Sequence, residues 1–181
     1  MLIVGLGNPP ELYGKTRHNA GFWLVDEWVR RLGKSWQLEK KFQAHCVKYE
    51  GHVFLKSTHF MNLSGQSLQK IMAYYQIPVS DLVVAYDEMS FSAGVARFKQ
   101  GGGAAGHNGV KDIISRIGDQ FIRVRIGVGR PAPGHDVSHF VLSPPSRSEK
   151  ALIDQAIQAL VDDAEMILNK DFAKLMNQWN Q

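Results

Sequence analysis

The chain opens Met1-Leu2-Ile3-Val4-Gly5-Leu6-Gly7-Asn8-Pro9-Pro10. Met1 to Leu6 reads as a buried strand, and Gly7-Asn8-Pro9-Pro10 breaks it. The stretch has no basic leader and no cleavage-like site, so it is read as part of the fold and not as a signal peptide. Leu82-Val83-Val84-Ala85-Tyr86 is a second apolar run, and it stops at Asp87.

Helical spacing fills the intervals between such runs. Ala20, Leu24, Val25, Trp28, Val29 and Leu32 predict a helix from Asn19 onward that Gly33 can end. Gln43 to Tyr49 and His52 to Lys56 look like two strands joined at Glu50-Gly51. Leu63, Leu68, Ile71, Met72 and Tyr75 predict a second helix ending before Pro78. Val95 to Lys99 reads as a strand, followed by a loop from Gln100 to Gly106. Val110, Ile113, Ile114 and Ile117 mark a short helix. Ile122 to Val128 alternates, which puts Arg123 and Arg125 on one face. A long helix is expected from Ser146 to about Leu168, and a shorter one from Asp171 to Trp179. Helices interleaved with buried strands imply an α/β fold: a single domain over residues 1–181 with a mixed sheet flanked by helices.

Composition narrows the class. Hydrophobic residues make up 44% and charged residues 21%, which fits a soluble globular chain and not a disordered one. No run approaches the roughly 20 apolar residues needed to span a bilayer. The single cysteine, Cys46, cannot form an internal disulfide and reads as a small core residue. These features point to the cytosol. Lys and Arg exceed Asp and Glu by 21 − 17 = 4, a mild excess that permits a polyanionic partner without establishing one.

The unusual polar residues collect after strands, where open α/β sheets place their sites. Asn8 follows the first strand. His18, in Thr16-Arg17-His18-Asn19, lies just before a helix, where the positive end of the dipole favours the neutral imidazole that a general base requires. Taken alone, such a histidine is an ordinary surface or cap residue. Asp87, closing an apolar run, is poorly explained by packing; it can cap a turn or accept the Nδ1 proton of a histidine. Glu88 beside it reads as solvated. Asn62 and Asn108 sit at strand-to-helix junctions, as caps or as amides able to hold a water, a carbonyl or an oxyanion. No Gly-x-Ser-x-Gly motif offers a serine nucleophile. A base, its carboxylate partner and surrounding amides suit water attack on an activated ester.

The stretch Lys99-Gln100-Gly101-Gly102-Gly103-Ala104-Ala105-Gly106 is either a flexible loop or an anion site ahead of a helix, and it lacks a Walker ending. Arg97, Lys99, Arg123 and Arg125 flank it and together form a candidate phosphate grip; singly, each is a solvated strand-face charge. Two other patterns carry little. Gly5-Leu6-Gly7-Asn8-Pro9-Pro10 starts like a dinucleotide fingerprint but has Pro10 where the third glycine belongs. His135 and His139 have helical spacing but no third metal ligand nearby.

Taken together, Val4-Gly5-Leu6-Gly7-Asn8-Pro9, Thr16-Arg17-His18-Asn19-Ala20-Gly21, Phe60-Met61-Asn62-Leu63-Ser64-Gly65, Asp87-Glu88, Gly106-His107-Asn108-Gly109 and Arg125-Ile126-Gly127-Val128-Gly129-Arg130-Pro131 resemble bacterial peptidyl-tRNA hydrolases over essentially the whole chain. That resemblance implies a mixed twisted sheet between helices. It implies hydrolysis of the ester between a peptide and the 3′ end of tRNA, by a cytoplasmic monomer that uses no metal, cofactor or membrane. His18 matches the catalytic base and Asp87 its partner. Asn8 and Asn62 match residues that hold the substrate near the scissile ester, and Asn108 one that helps place substrate and water. Tyr13, Met61 and His107 match further cleft residues. Lys99 and Arg125 match basic residues that contact the tRNA acceptor end, and Arg97 holds a similar position. The chain departs from the family pattern at Pro10, Ser57, Ser92-Ala93 and Ala104-Ala105, which bears on loop shape and not on the reacting groups. The competing expectation is an RNA-binding protein of this fold without activity, which would have no need of the His18, Asp87, Asn8 and Asn62 set.

Overall fold

The computed structural model describes residues 1–181. Its elements in chain order are β1 (Leu2–Gly5), α1 (Pro10–Tyr13), α2 (Ala20–Arg31), β2 (Gln37–Glu39), β3 (Ala44–Tyr49), β4 (His52–Ser57), α3 (Ser64–Tyr75), β5 (Leu82–Glu88), β6 (Ala96–Gln100), α4 (Asn108–Ile117), β7 (Ile122–Gly127), α5 (Val137–Val141), α6 (Arg147–Asp162), α7 (Ala164–Leu168) and α8 (Phe172–Trp179). Short 3-10 turns occupy Arg17–Asn19, Met61–Leu63 and Val79–Asp81. No helix is long and apolar enough to cross a membrane.

Seven strands form one mixed sheet in the order β2-β3-β4-β1-β5-β7-β6. β1 lies at its centre, parallel to β4 on one side and to β5 on the other, and β5 is parallel to β7. β2, β3 and β6 complete the sheet through antiparallel pairs. The period of two along a strand sorts the core into two layers. Ile3, Val83, Ala85, Phe98 and Val124 pack with Leu24, Val25 and Trp28 of α2 and Ile153 and Ile157 of α6. Leu2, Val4, Val84 and Tyr86 pack on the other face with Leu68 and Ile71 of α3 and Val110 and Ile113 of α4. Burying each large apolar side chain stabilises the fold by roughly 1.5–3 kcal/mol before chain entropy is counted.

One contact fixes the site's frame. A Cβ added at Gly21, in the first turn of α2, would collide with Ala85 O and lie 2.5 Å from Leu6 N. One added at Gly5 would meet Gly21 O and the Val25 side chain. The helix backbone therefore rests on the backbones of β1 and β5, and Phe22 N donates to Leu6 O (3.2 Å) while Leu6 N donates to Ala85 O (2.9 Å).

Most expected elements form where their periodicity placed them, and three differences have physical causes. The long C-terminal helix breaks at Asp163, giving α6 and α7. Asp163 accepts hydrogen bonds from Gln178 (2.7 Å) and from Trp179 Nε1 (2.8 Å), so α8 holds the break point. β5 continues through Asp87 to Glu88 because β7 supplies partners at Ile126 and Gly127. α1, β2 and α5 are too short to show a period.

Candidate active site

The carboxyl ends of β1, β4 and β5 open into a cleft of about 640 Å³, lined among others by Asn8, Tyr13, His18, Met61, Asp87 and His107. α2, which follows β1, packs on one face of the sheet and α3, which follows the neighbouring β4, on the other, so the cleft opens where the connections part, the position at which such folds bind ligands.

Asp87 stands at the centre, 4% exposed. His18 Nδ1 lies 2.9 Å from its Oδ1 and 3.0 Å from its Oδ2, and His107 Nε2 lies 3.0 Å from Oδ1. Burial alone would raise the Asp87 pKa. The two histidines outweigh it and hold the carboxyl well below the usual carboxylate range. An ionised carboxylate only accepts hydrogen bonds, so both ring nitrogens facing it carry protons. His107 is fixed from its other side as well, because its Nδ1 accepts the Val110 N–H (3.3 Å) and caps α4. For His18 no protein hydrogen bond engages the remaining nitrogen, Nε2, and the ring lines the cleft, so the neutral form has an acceptor to offer there. The two rings lie 4.8 Å apart, tilted by 44°. His18, Asp87 and His107 also form the one group of three ligand-type side chains close enough, within 4.8 Å, to share a metal ion. The contacts among them are those of a proton-sharing cluster.

Asn8 is buried and held in three ways. Its N–H donates to Asn19 Oδ1 (3.0 Å), its C=O accepts from Asn19 Nδ2 (2.9 Å), and its side-chain oxygen accepts from Met61 N–H (2.8 Å). The Asn8 Nδ2 hydrogens are what remains for a ligand. Asn19, 1% exposed, therefore links the His18 turn to the end of β1. Sequence reasoning missed Asn19, because its partner is 11 residues away and only the fold brings the two together.

Met61 is buried beneath Gly109, where an added Cβ would lie 2.5 Å from its sulfur. Tyr13 packs edge-on against Phe60 (6.3 Å between centroids). Asn62 and Asn108 line the cleft but are exposed. Asn62 lies within the 3-10 turn before α3, and Asn108 is the first residue of α4, behind the cap made by His107. A further wall went unread in the sequence: Asp136, Val137, Ser138, Val141 and Leu142 of α5 and its approach.

The basic residues stand outside the cleft. Arg97 pairs in register with Arg125, and Lys99 with Arg123, so all four leave one face of β6 and β7. They are not equivalent. Arg123 is 2% exposed and donates to Gly102 O and to Gly103 O (2.5 Å), so it braces the glycine loop and cannot meet a ligand. Arg125 donates from Nε and Nη2 to Glu88 Oε2 (3.0 and 2.9 Å). Glu88 is thus a partner of Arg125 and Ser90, and not the solvated residue expected. Although burial opposes it, these hydrogen bonds bring its pKa below the usual value. Arg97 and Arg125 both lie over the Phe91 ring, at 5.0 and 4.6 Å. Lys99 is exposed. His135 and His139 are exposed, and Asp136 caps α5 by accepting from His139 N (2.6 Å).

Comparison with known proteins identifies the family. The family model described as peptidyl-tRNA hydrolase matches residues 2–181. The chain is 40% identical to the peptidyl-tRNA hydrolase of Histophilus somni, over 99% of this chain and 95% of that protein. It is 44% identical to that of Alcanivorax borkumensis, with the same coverage. Among solved structures, the peptidyl-tRNA hydrolase of Acinetobacter baumannii superposes with a TM-score of 0.93 at 39% identity, covering 99% of this chain and 93% of that one. Matched from end to end in sequence and in fold, the chain belongs to the peptidyl-tRNA hydrolase family.

Proposed function

We propose that this chain hydrolyses the ester joining peptide to tRNA in peptidyl-tRNA, releasing peptide and free tRNA, with His18 activating the attacking water. One observation carries the reading: His18 is tied to a buried, ionised Asp87 through Nδ1, which leaves Nε2 free in the cleft of a chain belonging to this family. Nε2 takes the water's proton and the hydroxide adds to the ester carbonyl. Asp87 balances the imidazolium, and His107 keeps Asp87 charged. The oxyanion accepts from Asn8 Nδ2, whose orientation Asn19 and Met61 set. The imidazolium then returns its proton to the leaving 3′ oxygen of the tRNA. Asn62 and Asn108 engage the peptide and the water from the rim, and Tyr13, Met61 and His107 shape the pocket. Lys99 and Arg125, with Arg97 beside them, meet acceptor-end phosphates.

In this reading residues 1–181 form one domain acting as a cytoplasmic monomer, and no metal or cofactor takes part. The test is release of peptide from an N-acylated aminoacyl-tRNA with EDTA present and no nucleotide added. His18→Ala should cut kcat by about 10² to 10⁴ while leaving tRNA affinity near that of the wild type. Full activity in His18→Ala would falsify the assignment, and EDTA-sensitive wild-type activity would return the His18–Asp87–His107 cluster to metal chemistry.

A further inference from the structure

Arg17 has a nearly buried side chain, 8% exposed, and the mechanism above leaves it unused. Its Nη1 donates to Ser143 Oγ (3.0 Å) and Pro144 O (2.9 Å), with longer contacts to Ser143 O (3.3 Å) and Phe140 O (3.4 Å). Its Nη2 donates to Glu149 Oε2 (2.9 Å). The guanidinium lies over the Phe140 ring at 4.1 Å, and Arg17 N donates to Ser143 O (3.1 Å). These partners run from Phe140 in α5, through the connecting Ser143 and Pro144, to Glu149 in the first turn of α6. Glu149 also closes the capping box of α6 with Ser146, so the stretch is anchored on rigid helix.

That stretch ends the cleft wall. The wall presents apolar side chains, Val137 at 49% exposure and Leu142 at 37%, and Phe60 lines the same cleft at 50%. It belongs to no strand, and α5 is only five residues long, so its position depends on such tethers. Arg17 is the residue immediately before His18. One planar fork of donors thus joins the base-bearing turn to an exposed apolar wall. A lysine keeps the charge but cannot reach this set of acceptors in one plane.

We infer that Arg17 is a positioning residue for the peptide half of the substrate: it sets the spacing between His18 and the Val137–Leu142 wall. The inference rests on the hydrolase reading for its ligand. An apolar wall beside the reacting carbonyl is suited to side chains of the departing peptide, and its spacing matters only when those side chains are present.

The experiment compares wild type, Arg17→Lys and Glu149→Gln in the full chain. Each is given two substrates: a tRNA carrying one N-acetylated amino acid and a tRNA carrying an apolar N-acetylated tripeptide. In Arg17→Lys, KM for the tripeptide substrate should rise about fivefold or more with kcat within about twofold, and KM for the short substrate should move by less than about twofold. Glu149→Gln should act in the same direction more weakly. Equal KM changes for both substrates, or unchanged KM, would overturn the inference. A fall in kcat for both would also overturn it, by assigning Arg17 to the orientation of His18. If Arg17→Lys fails to fold, judged by its thermal melt, Glu149→Gln decides by the same criteria. An NMR titration with free N-acetyl tripeptide reads the wall without hydrolysis. Weaker binding in the variants supports the inference even if the wild type cuts neither substrate, the result that would sink the hydrolase reading alone, and unchanged binding then overturns the inference.

Discussion

On the floor of the cleft the polar side chains are held by their neighbours, and His18 Nε2 and Asn8 Nδ2 are left for a ligand. Asp87 is loaded by His18 and His107, and Asn8 by Asn19 and Met61. At the rim, Asn62, Asn108 and Lys99 stand exposed. Floor groups are already oriented before substrate arrives, so they can favour the transition state over the ground state. Rim groups must be ordered by the substrate, so their contribution falls mainly on binding. The contrast predicts that position in the cleft, more than residue type, will divide these asparagines into those that set kcat and those that set KM.

The strongest way to break the contrast is Asp87→Asn. An asparagine can offer its NH₂ to His18 Nδ1, which would move the ring proton to Nε2 and disable the base. A loss in kcat of about 10³ to 10⁴ is expected in single-turnover assays, by analogy with the buried aspartate of serine proteases. A loss below about tenfold would show that the floor is not preorganised. Next is Asn19→Ala, which touches no substrate. It should lower kcat by about 10- to 100-fold with little change in KM, because Asn8 loses its two backbone tethers. It should also cost about 1–3 kcal/mol in urea unfolding, through the stranded Asn8 N–H and C=O. An effect confined to KM would place Asn19 with the rim. Smaller effects are expected of Asn62→Ala and Asn108→Ala: KM up by about fivefold each, with kcat within about threefold. A large kcat loss in either would move that residue to the floor. Smallest at moderate salt is Lys99→Ala. Its tRNA affinity, followed against salt concentration, should show a slope reduced by about 0.7–0.9. An identical slope would remove Lys99 from the phosphate contacts.

The buried runs at Leu2 and Leu82 made the fold legible, and so did the spacing of α2 and α3, because a period reports burial directly. His18 and Asp87 were legible as chemistry out of place: a carboxylate ending an apolar strand, and a histidine at a helix start. What stayed hidden was pairing. Nothing local marks Asn19 as the tether of Asn8, or separates buried Arg123 from partly exposed Arg125 two residues on. Glu88 looked solvated because Arg125, its partner, is 37 residues away. The α5 wall was invisible for a different reason, since five residues held by an arginine 120 or more positions earlier carry no period of their own.

The glycine contact under α2 has a consequence for how this site tolerates change. Because the helix backbone lies directly on Leu6 and Ala85, no side chain separates the turn bearing His18 from the strand bearing Asp87. The spacing between that turn and that strand is therefore set by main-chain contact, like the rise of a helix, and not by a packed side chain. Substitutions among the large apolar residues can weaken the molecule without retuning its chemistry. A single methyl group at residue 21 does the reverse from a position that no substrate reaches: it meets Leu6 N and Ala85 O, so helix and strand must part to admit it.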